Sequence, residues 1–210
     1  MSSSTQSTIS TKNTRAATSQ WIRGVVFTAL FGALFIAGSY LKVSIGFTPV
    51  PITLQSLTIM LAGGLLGAVY GFWSIFIVIL LTATGLPLMG EGSGLSKIFG
   101  ATGGFIWMFP FAAFLIGFVT DKLFTERKRL SLPKVILLFV SIFGFGSLLL
   151  YVTGIPWLAH FSATLDLQGA IEKGMVPFLT GDLIKAIVAT LIIASIRPVL
   201  PLIRPQKKSQ

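Results

Sequence analysis

The sequence predicts an all-α integral membrane protein with six transmembrane helices, and three observations support this fold class. Hydrophobic residues make up 53% of the 210-residue chain, charged residues make up 10%, and the mean hydropathy is +0.88. A domain whose surface is covered by water rarely has this balance. Apolar runs recur at lengths close to the roughly 20 residues that a helix needs to cross the hydrocarbon core. Basic residues cluster between these runs, as they do in the loops of membrane proteins.

The two ends of the chain differ from its apolar middle. The first 22 residues are rich in Ser and Thr and lack a core-forming pattern, so we predict a disordered tail there. The apolar run after Arg23 is long enough to span the bilayer, which argues against a cleavable signal peptide. We therefore divide the chain into a tail at 1–22, a six-helix membrane domain at 23–200 and a basic tail at 201–210.

The membrane domain contains six candidate spans, of which the second and third need a separate argument. No charged residue occurs between Val43 and Gly90, and this stretch is too long for one span. The glycine-rich sequence "AGGLLGAVYG" supplies a natural break within it. The predicted spans are residues 24–41, 52–66, 67–84, 103–119, 135–152 and 176–196.

The distribution of basic residues predicts that both termini are cytoplasmic. Six spans place both tails and the loop "DKLFTERKRLSLPK" on one side, where they carry three, four and five basic residues. The opposite side carries three, namely Lys42, Lys97 and Lys173. By the positive-inside rule the richer side faces the cytoplasm. We take the net charge of +10 as a topology signal and not as a sign of nucleic-acid binding.

The last span contains two charges, Asp182 and Lys185, among aliphatic residues. Each costs about 2.5 to 3.5 kcal/mol at the bilayer centre, so both are expected to face the interior of the bundle. Their i, i+3 spacing places them on one helix face. Two interpretations remain open, a structural pair that ties helices together and a site that binds a polar ligand. Asp182 lies about two turns from the outer end of its span, where an outward-facing cavity would reach it.

The remaining polar residues predict neither a catalytic nor a metal site. The chain has no cysteine, six acids and one histidine, His160, which we expect on the surface of an outer loop. No phosphate-binding loop occurs, so we predict that the chain is not an enzyme and does not hydrolyse ATP. Small residues recur at four-residue intervals in two places and predict close helix contacts. They are Gly63, Gly67 and Gly71 in one place, and Ala29, Ala33 and Ala37 in the first span.

Five motifs resemble those of the BioY family, the biotin-specific substrate-capture subunits of energy-coupling factor (ECF) transporters. They are "FTPVPITLQSLTIMLAG", "TGLPLMGEGSG", "GATGGFIWMFPFAAFLIG", "TGIPWLA" and "PFLTGDLIKA". The resemblance covers roughly residues 24–197 and implies a six-helix bundle with both termini inside. It also implies an outward-facing biotin pocket, no cofactor, and assembly with a transmembrane coupling protein and two cytoplasmic ATPases.

The resemblance also implies roles for individual residues. Asp182 and Lys185 match the acid and lysine that the family places at biotin, and Gln55 is a further polar contact. The glycine-rich segment 90–104 is expected to be a lid. Within it Ser93 stands where members carry Asn, and Lys97 either replaces a basic residue that members carry after the second "GG" or lies on the surface. The resemblance places the contact with the coupling protein on the first helix, on the alanine face.

Three other functions remain as alternatives. The chain could transport biotin alone, or it could be an ion-coupled transporter of another vitamin-like solute. The second needs an ion relay and inverted repeats, whereas the sequence shows one charged pair within the spans and no internal symmetry. An intramembrane enzyme needs a nucleophile with a base, and the lone histidine lies outside the predicted spans.

Overall fold

A computed structural model describes residues 3–43, 50, 52–90, 92, 94–125 and 129–200, with side chains from residue 18 onward except that of Val43. The described part forms a bundle of nine α-helices and one two-stranded antiparallel ladder. The strands are β1 (Lys42–Val43) and β2 (Ile52–Thr53), paired with Lys42 opposite Thr53. The helices are α1 (Ser3–Tyr40), α2 (Gln55–Leu66), α3 (Ala68–Ala83), α4 (Gly94–Ile98), α5 (Gly103–Leu123), α6 (Leu132–Phe143), α7 (Leu149–Phe161), α8 (Leu167–Gly174) and α9 (Val176–Ile196).

Helix α1 begins far earlier than the first predicted span. Its backbone is helical from Ser3, whereas we predicted disorder through residue 22. The segment before Trp21 contains Ala, Gln, Lys and Arg, which favour helix, and it continues an apolar helix that is already nucleated. The apolar part that could cross a membrane is Thr18–Tyr40. The division of the chain into two tails and a membrane domain stays a prediction.

Helices α2 and α3 are separated by the single residue Gly67, within the predicted glycine-rich break. Gly67 has φ +85° and ψ −178°, a conformation that is essentially limited to glycine. The carboxylate of Asp121 in α5 accepts the N–H of Ala68, the first residue of α3, at 3.3 Å. Arg197, just after α9, donates to Asp121 and to the carbonyl of Leu65 in α2. The helices α2, α3 and α5 and the end of α9 therefore meet at this break.

Helices α6 and α7 form one continuous rod through a π-helical turn at Gly144–Leu148. The rod covers Leu132–Phe161 and is longer than the predicted span 135–152. It includes Pro156, which lies beyond the predicted span. A proline in an apolar helix removes one backbone hydrogen bond without ending the helix when neighbouring helices support it. His160 is exposed as predicted, but it lies in the last turn of α7 and not in a loop.

Within the described residues, four helical segments are long and apolar enough to cross a membrane, namely those at 18–40, 103–123, 132–161 and 176–196. Helices α2 and α3 have 12 and 16 residues, so they rise about 18 and 24 Å, less than the roughly 30 Å of the hydrocarbon core. The last span matches α9 residue for residue. The core lies between α2, α5, α7 and α9, around fully buried residues such as Ile59, Ile116 and Ala186.

Candidate ligand-binding site

A cavity of about 260 Å³ lies inside the bundle between α2, α5, α7 and α9. It reaches the end of the bundle where Lys42, Thr53 and Gly90 lie, and we call this the cavity end. Its volume is just below the range of about 300–1,000 Å³ that is usual for small-molecule sites. The cavity therefore suits a compact ligand.

One side of the cavity is formed by α5 and α7, which pack tightly against each other. At Gly104 a Cβ atom would lie 2.7 Å from the Thr153 carbonyl and 2.4 Å from the Cβ of Trp157, so a larger residue would push the helices apart. The Thr153 hydroxyl donates to the Gly104 carbonyl at 3.0 Å, and the Trp157 indole N–H donates to the Gly100 carbonyl at 2.9 Å. These contacts hold the N-terminal end of α5 beside the cavity.

The cavity lining combines aromatic side chains with a buried polar network. Phe105, Phe109 and Phe178 supply the aromatic part. The network starts at Lys185, whose Nζ donates to Ser56 Oγ at 3.0 Å and to Asp182 Oδ1 at 3.2 Å. It ends at Tyr151, whose hydroxyl donates to Asp182 Oδ2 at 2.6 Å. The network joins α2, α7 and α9 across the cavity, and such networks specify one arrangement of their members.

The charges of this network are shielded from solvent. The side chains of Lys185 and Asp182 are 12% and 10% exposed, which makes their interaction stronger than that of a surface pair. Asp182 is the one carboxylate among the described residues that line the cavity, whereas Lys42, Lys97 and Lys185 line it as cations. The described lining therefore offers both a carboxylate and ammonium groups to a ligand.

Gln55, at the first residue of α2, adds an amide to the polar part of the lining. Its Nε2 atom is buried and has no hydrogen-bond partner within the described residues. A buried donor without a partner costs about 1–3 kcal/mol, which a ligand with an acceptor at this point would recover. Nothing in the described ranges brings together three His, Cys, Asp or Glu side chains that could hold a metal ion. The geometry favours an organic ligand with both donors and acceptors.

Comparison with known proteins identifies the family. Residues 6–202 match the BioY family, which is nearly the whole chain. The chain belongs to the BioY family. Among solved structures, the fold is similar to the S-component for biotin from an ECF-type ABC transporter, with a TM-score of 0.76 and 32% sequence identity. That similarity covers 85% of this chain and 93% of the solved chain.

Proteins named as BioY are also similar in sequence. The biotin transporter BioY of Rhizobium etli is 40% identical over 172 residues, which cover 81% of this chain and 90% of that protein. The probable biotin transporter BioY of Pyrococcus horikoshii is 38% identical, over 80% of this chain and 92% of that protein. The biotin transporter BioY of Thermotoga maritima is 33% identical, over 81% and 94%. The family assignment that the motifs predicted is confirmed.

The structure of this BioY member brings four of the five predicted ligand residues to one cavity. Asp182, Lys185, Gln55 and Lys97 all line it, whereas Ser93 lies outside the described residues. Their contact with a ligand stays a prediction. The three residues of the predicted coupling face, Ala29, Ala33 and Ala37, are all exposed on α1, away from the cavity.

Sequence reasoning missed several polar residues of this BioY cavity, among them Ser56, Lys42 and Tyr151. Ser56 is next to Gln55 and one turn before the buried part of α2, so the sequence could have indicated that it lies beside the site. Lys42 is one of three basic residues on the predicted outer side, and this position could have indicated a role at an outward-facing site. Tyr151 is a single tyrosine in an apolar helix, and no spacing or charge in the sequence marked it.

Proposed function

We propose that this BioY protein captures biotin for uptake across the bacterial cytoplasmic membrane. The observation that carries the proposal is the buried network of Ser56, Lys185, Asp182 and Tyr151, which lines the same cavity as several aromatic side chains. Biotin needs both features, because its ureido group is polar, its fused rings are apolar and its side chain ends in a carboxylate. The curated relatives are named as biotin transporters, which supports the same ligand.

The chemistry of the cavity supports one orientation of biotin within it. Asp182 accepts hydrogen bonds and suits a ureido N–H, while Lys185 and the Gln55 amide donate and suit the ureido carbonyl. Lys97 lies on α4, outside the membrane-spanning helices, and suits the carboxylate at the end of the valerate chain. The aromatic side chains cover the ring system. Biotin therefore enters ring first in this proposal.

The membrane orientation follows from the basic residues. Both termini and the loop after α5 carry most of the positive charge, so we place them in the cytoplasm. The cavity end belongs to the opposite side, because α2 runs from the cavity at Gln55 to the break at Gly67, and α9 runs from the cavity to Arg197. The pocket then opens to the outside, with six membrane segments between the two tails.

Energy for uptake comes from a partner in this proposal. The chain has no nucleotide-binding motif and one charged pair at the cavity, too few groups for an ion relay. An ECF module, consisting of a transmembrane coupling protein and two cytoplasmic ATPases, would supply it. The exposed face of Ala29, Ala33 and Ala37 lets a partner helix approach closely, because small residues keep the α1 backbone accessible.

The coupling surface is tested by Ala33→Trp, with Leu34→Trp as the matched control. Both positions are exposed on α1, but successive residues point about 100° apart. Neither lines the cavity. We expect Ala33→Trp to bind biotin normally and to lose co-purification with the ECF module and uptake, whereas Leu34→Trp keeps both. Normal assembly of Ala33→Trp would contradict the proposed surface.

The proposed activity is tested by uptake of radiolabelled biotin in cells that lack their own biotin transporter. We expect uptake when this chain is produced together with an ECF module, and no uptake when the ATPases carry an inactivating substitution. Equal uptake with and without the module would show that the chain transports biotin alone. No uptake in any combination, with the protein folded in the membrane, would contradict biotin transport.

A further inference from the structure

Tyr151 has a defined place in the polar network. Its hydroxyl donates to Asp182 Oδ2 at 2.6 Å, and the two residues are 8% and 7% exposed. Hydrogen bonds to an ionised group are about twice as strong as those between neutral groups. The ring is held at its edge by Phe105, at 6.2 Å between centroids and 88° between planes. Both ends of the tyrosine side chain are therefore fixed.

The π-helical turn at Gly144–Leu148 ends three residues before Tyr151. Buried residues follow one face of the rod, at 138, 141, 142, 146, 147, 150, 151, 154, 155 and 158. In a regular α-helix a four-residue interval drifts by about 40° per step, so the first and last of these would face nearly opposite directions. A π-turn holds an extra residue and turns the following side chains back by about 100°. The turn thereby removes about half of the drift of about 200° between residues 138 and 158, and brings the buried face of α7 closer to that of α6.

We propose that Tyr151 is a positioning residue that fixes the Asp182 carboxylate for the ligand. The Tyr151 hydroxyl donates a hydrogen bond to Oδ2 and Lys185 Nζ donates one to Oδ1, so the carboxylate is held from two sides. Each oxygen keeps a further lone pair that can accept a ligand N–H. The carboxylate then meets the ligand without first having to be ordered, which raises affinity.

This inference deepens the proposed function and rests on it. Tyr151 acts through Asp182 and not on the ligand, so its effect on affinity should depend on the presence of that carboxylate. A merely structural tyrosine would lower the stability of the fold with or without Asp182. The two roles are separated by a double-mutant cycle.

The cycle consists of Tyr151→Phe, Asp182→Asn and the double variant, with biotin affinity measured by titration calorimetry in detergent. Phe keeps the ring on Phe105 and removes only the hydroxyl. We expect Tyr151→Phe to weaken biotin binding about tenfold in the wild-type background. In the Asp182→Asn background we expect less than a twofold further loss. The matched control is Tyr70→Phe, since Tyr70 packs on Gly24 of α1 and does not line the cavity.

Each outcome decides the question. Equal losses from Tyr151→Phe in both backgrounds would show that the hydroxyl touches the ligand itself, and the positioning role would be wrong. An unchanged affinity of Tyr151→Phe, with wild-type protein that binds biotin, would also overturn it. If the wild-type protein does not bind biotin, the proposed function fails instead. Thermal unfolding of the ligand-free variants checks that all are folded, and a loss of stability without the non-additive effect on affinity would indicate a structural role.

Discussion

Replacing Asp182 by Asn tests the site at its one described carboxylate. In the structure Asp182 accepts from Tyr151 on one oxygen and from Lys185 on the other. Asn keeps one acceptor oxygen and replaces the other by an NH₂ group, which can only donate. One of the three donors, Tyr151, Lys185 or the ligand N–H, therefore loses its acceptor.

The size of the effect follows from the burial of the pair. A hydrogen bond to a charged group contributes about 1.5–3 kcal/mol, and exposures of 12% and 10% leave little water to replace it. We expect biotin binding to weaken by about 2 kcal/mol, which is about 30-fold in Kd. Removing one partner of a buried ion pair costs about 3–5 kcal/mol of folding stability. Because Asn stays polar and Lys185 keeps its bond to Ser56 at 3.0 Å, the loss of stability should be smaller.

The assay is titration calorimetry of purified, biotin-free protein, with thermal unfolding as a check on folding. Asp166→Asn is the matched control, because Asp166 is an exposed cap of α8 that accepts from Gly169 N at 2.8 Å and lies outside the cavity lining. It should leave Kd unchanged. If Asp182→Asn lowers the unfolding temperature while the folded protein keeps the wild-type Kd, the pair is structural and the reasoning is wrong.

Three further predictions concern topology, the helix break and the carboxylate of biotin. Cysteines introduced on the cytoplasmic side should react only with reagent inside the cell and one at Asp166 only with reagent outside; the inside positions are Ser3, Arg127 and Lys208. Outside labelling of the loop after α5 would refute the six-span topology. Gly67→Ala should cost at least about 2 kcal/mol of unfolding free energy in thermal denaturation, because it forces alanine into a glycine-only conformation with its Cβ 2.7 Å from the Asp121 oxygens. Gly144→Ala, with φ −61° and nothing within 4 Å of the new Cβ, is its control and should be nearly neutral. Lys97→Met should weaken binding of biotin more than binding of its neutral amide in calorimetry, and equal losses for both would place the carboxylate elsewhere.

The sequence predicted those parts of the fold that depend on the position of apolar runs. Helix α9 lies between Lys173, in the last turn of α8, and Arg197, so both of its limits are marked by charge. The break between α2 and α3 was predicted from glycines, because residues other than glycine rarely adopt a backbone conformation like that of Gly67. The i, i+3 spacing of Asp182 and Lys185 placed both on one face, and the 3.2 Å contact agrees with it.

Features that depend on tertiary packing were not predictable in the same way. The π-turn changes the direction of every later side chain in α7. No residue pattern before Gly144 indicates this turn. The contact of Tyr151 with Asp182 depends on that change, so the tyrosine was missed. The helix also continues through Pro156, whose usual effect in sequence reasoning is to end a helix. The contact of Arg197 with Asp121 joins residues 76 positions apart, which local patterns cannot reveal.

The central claim, that the cavity binds biotin, is tested most directly by native mass spectrometry of the purified protein after equilibration with equimolar biotin and a vitamin of similar size. We predict that one molecule of biotin stays bound to each chain, that the second vitamin does not, and that Asp182→Asn retains much less biotin. A protein that stays ligand-free, or that retains the competing vitamin in place of biotin, would contradict the claim.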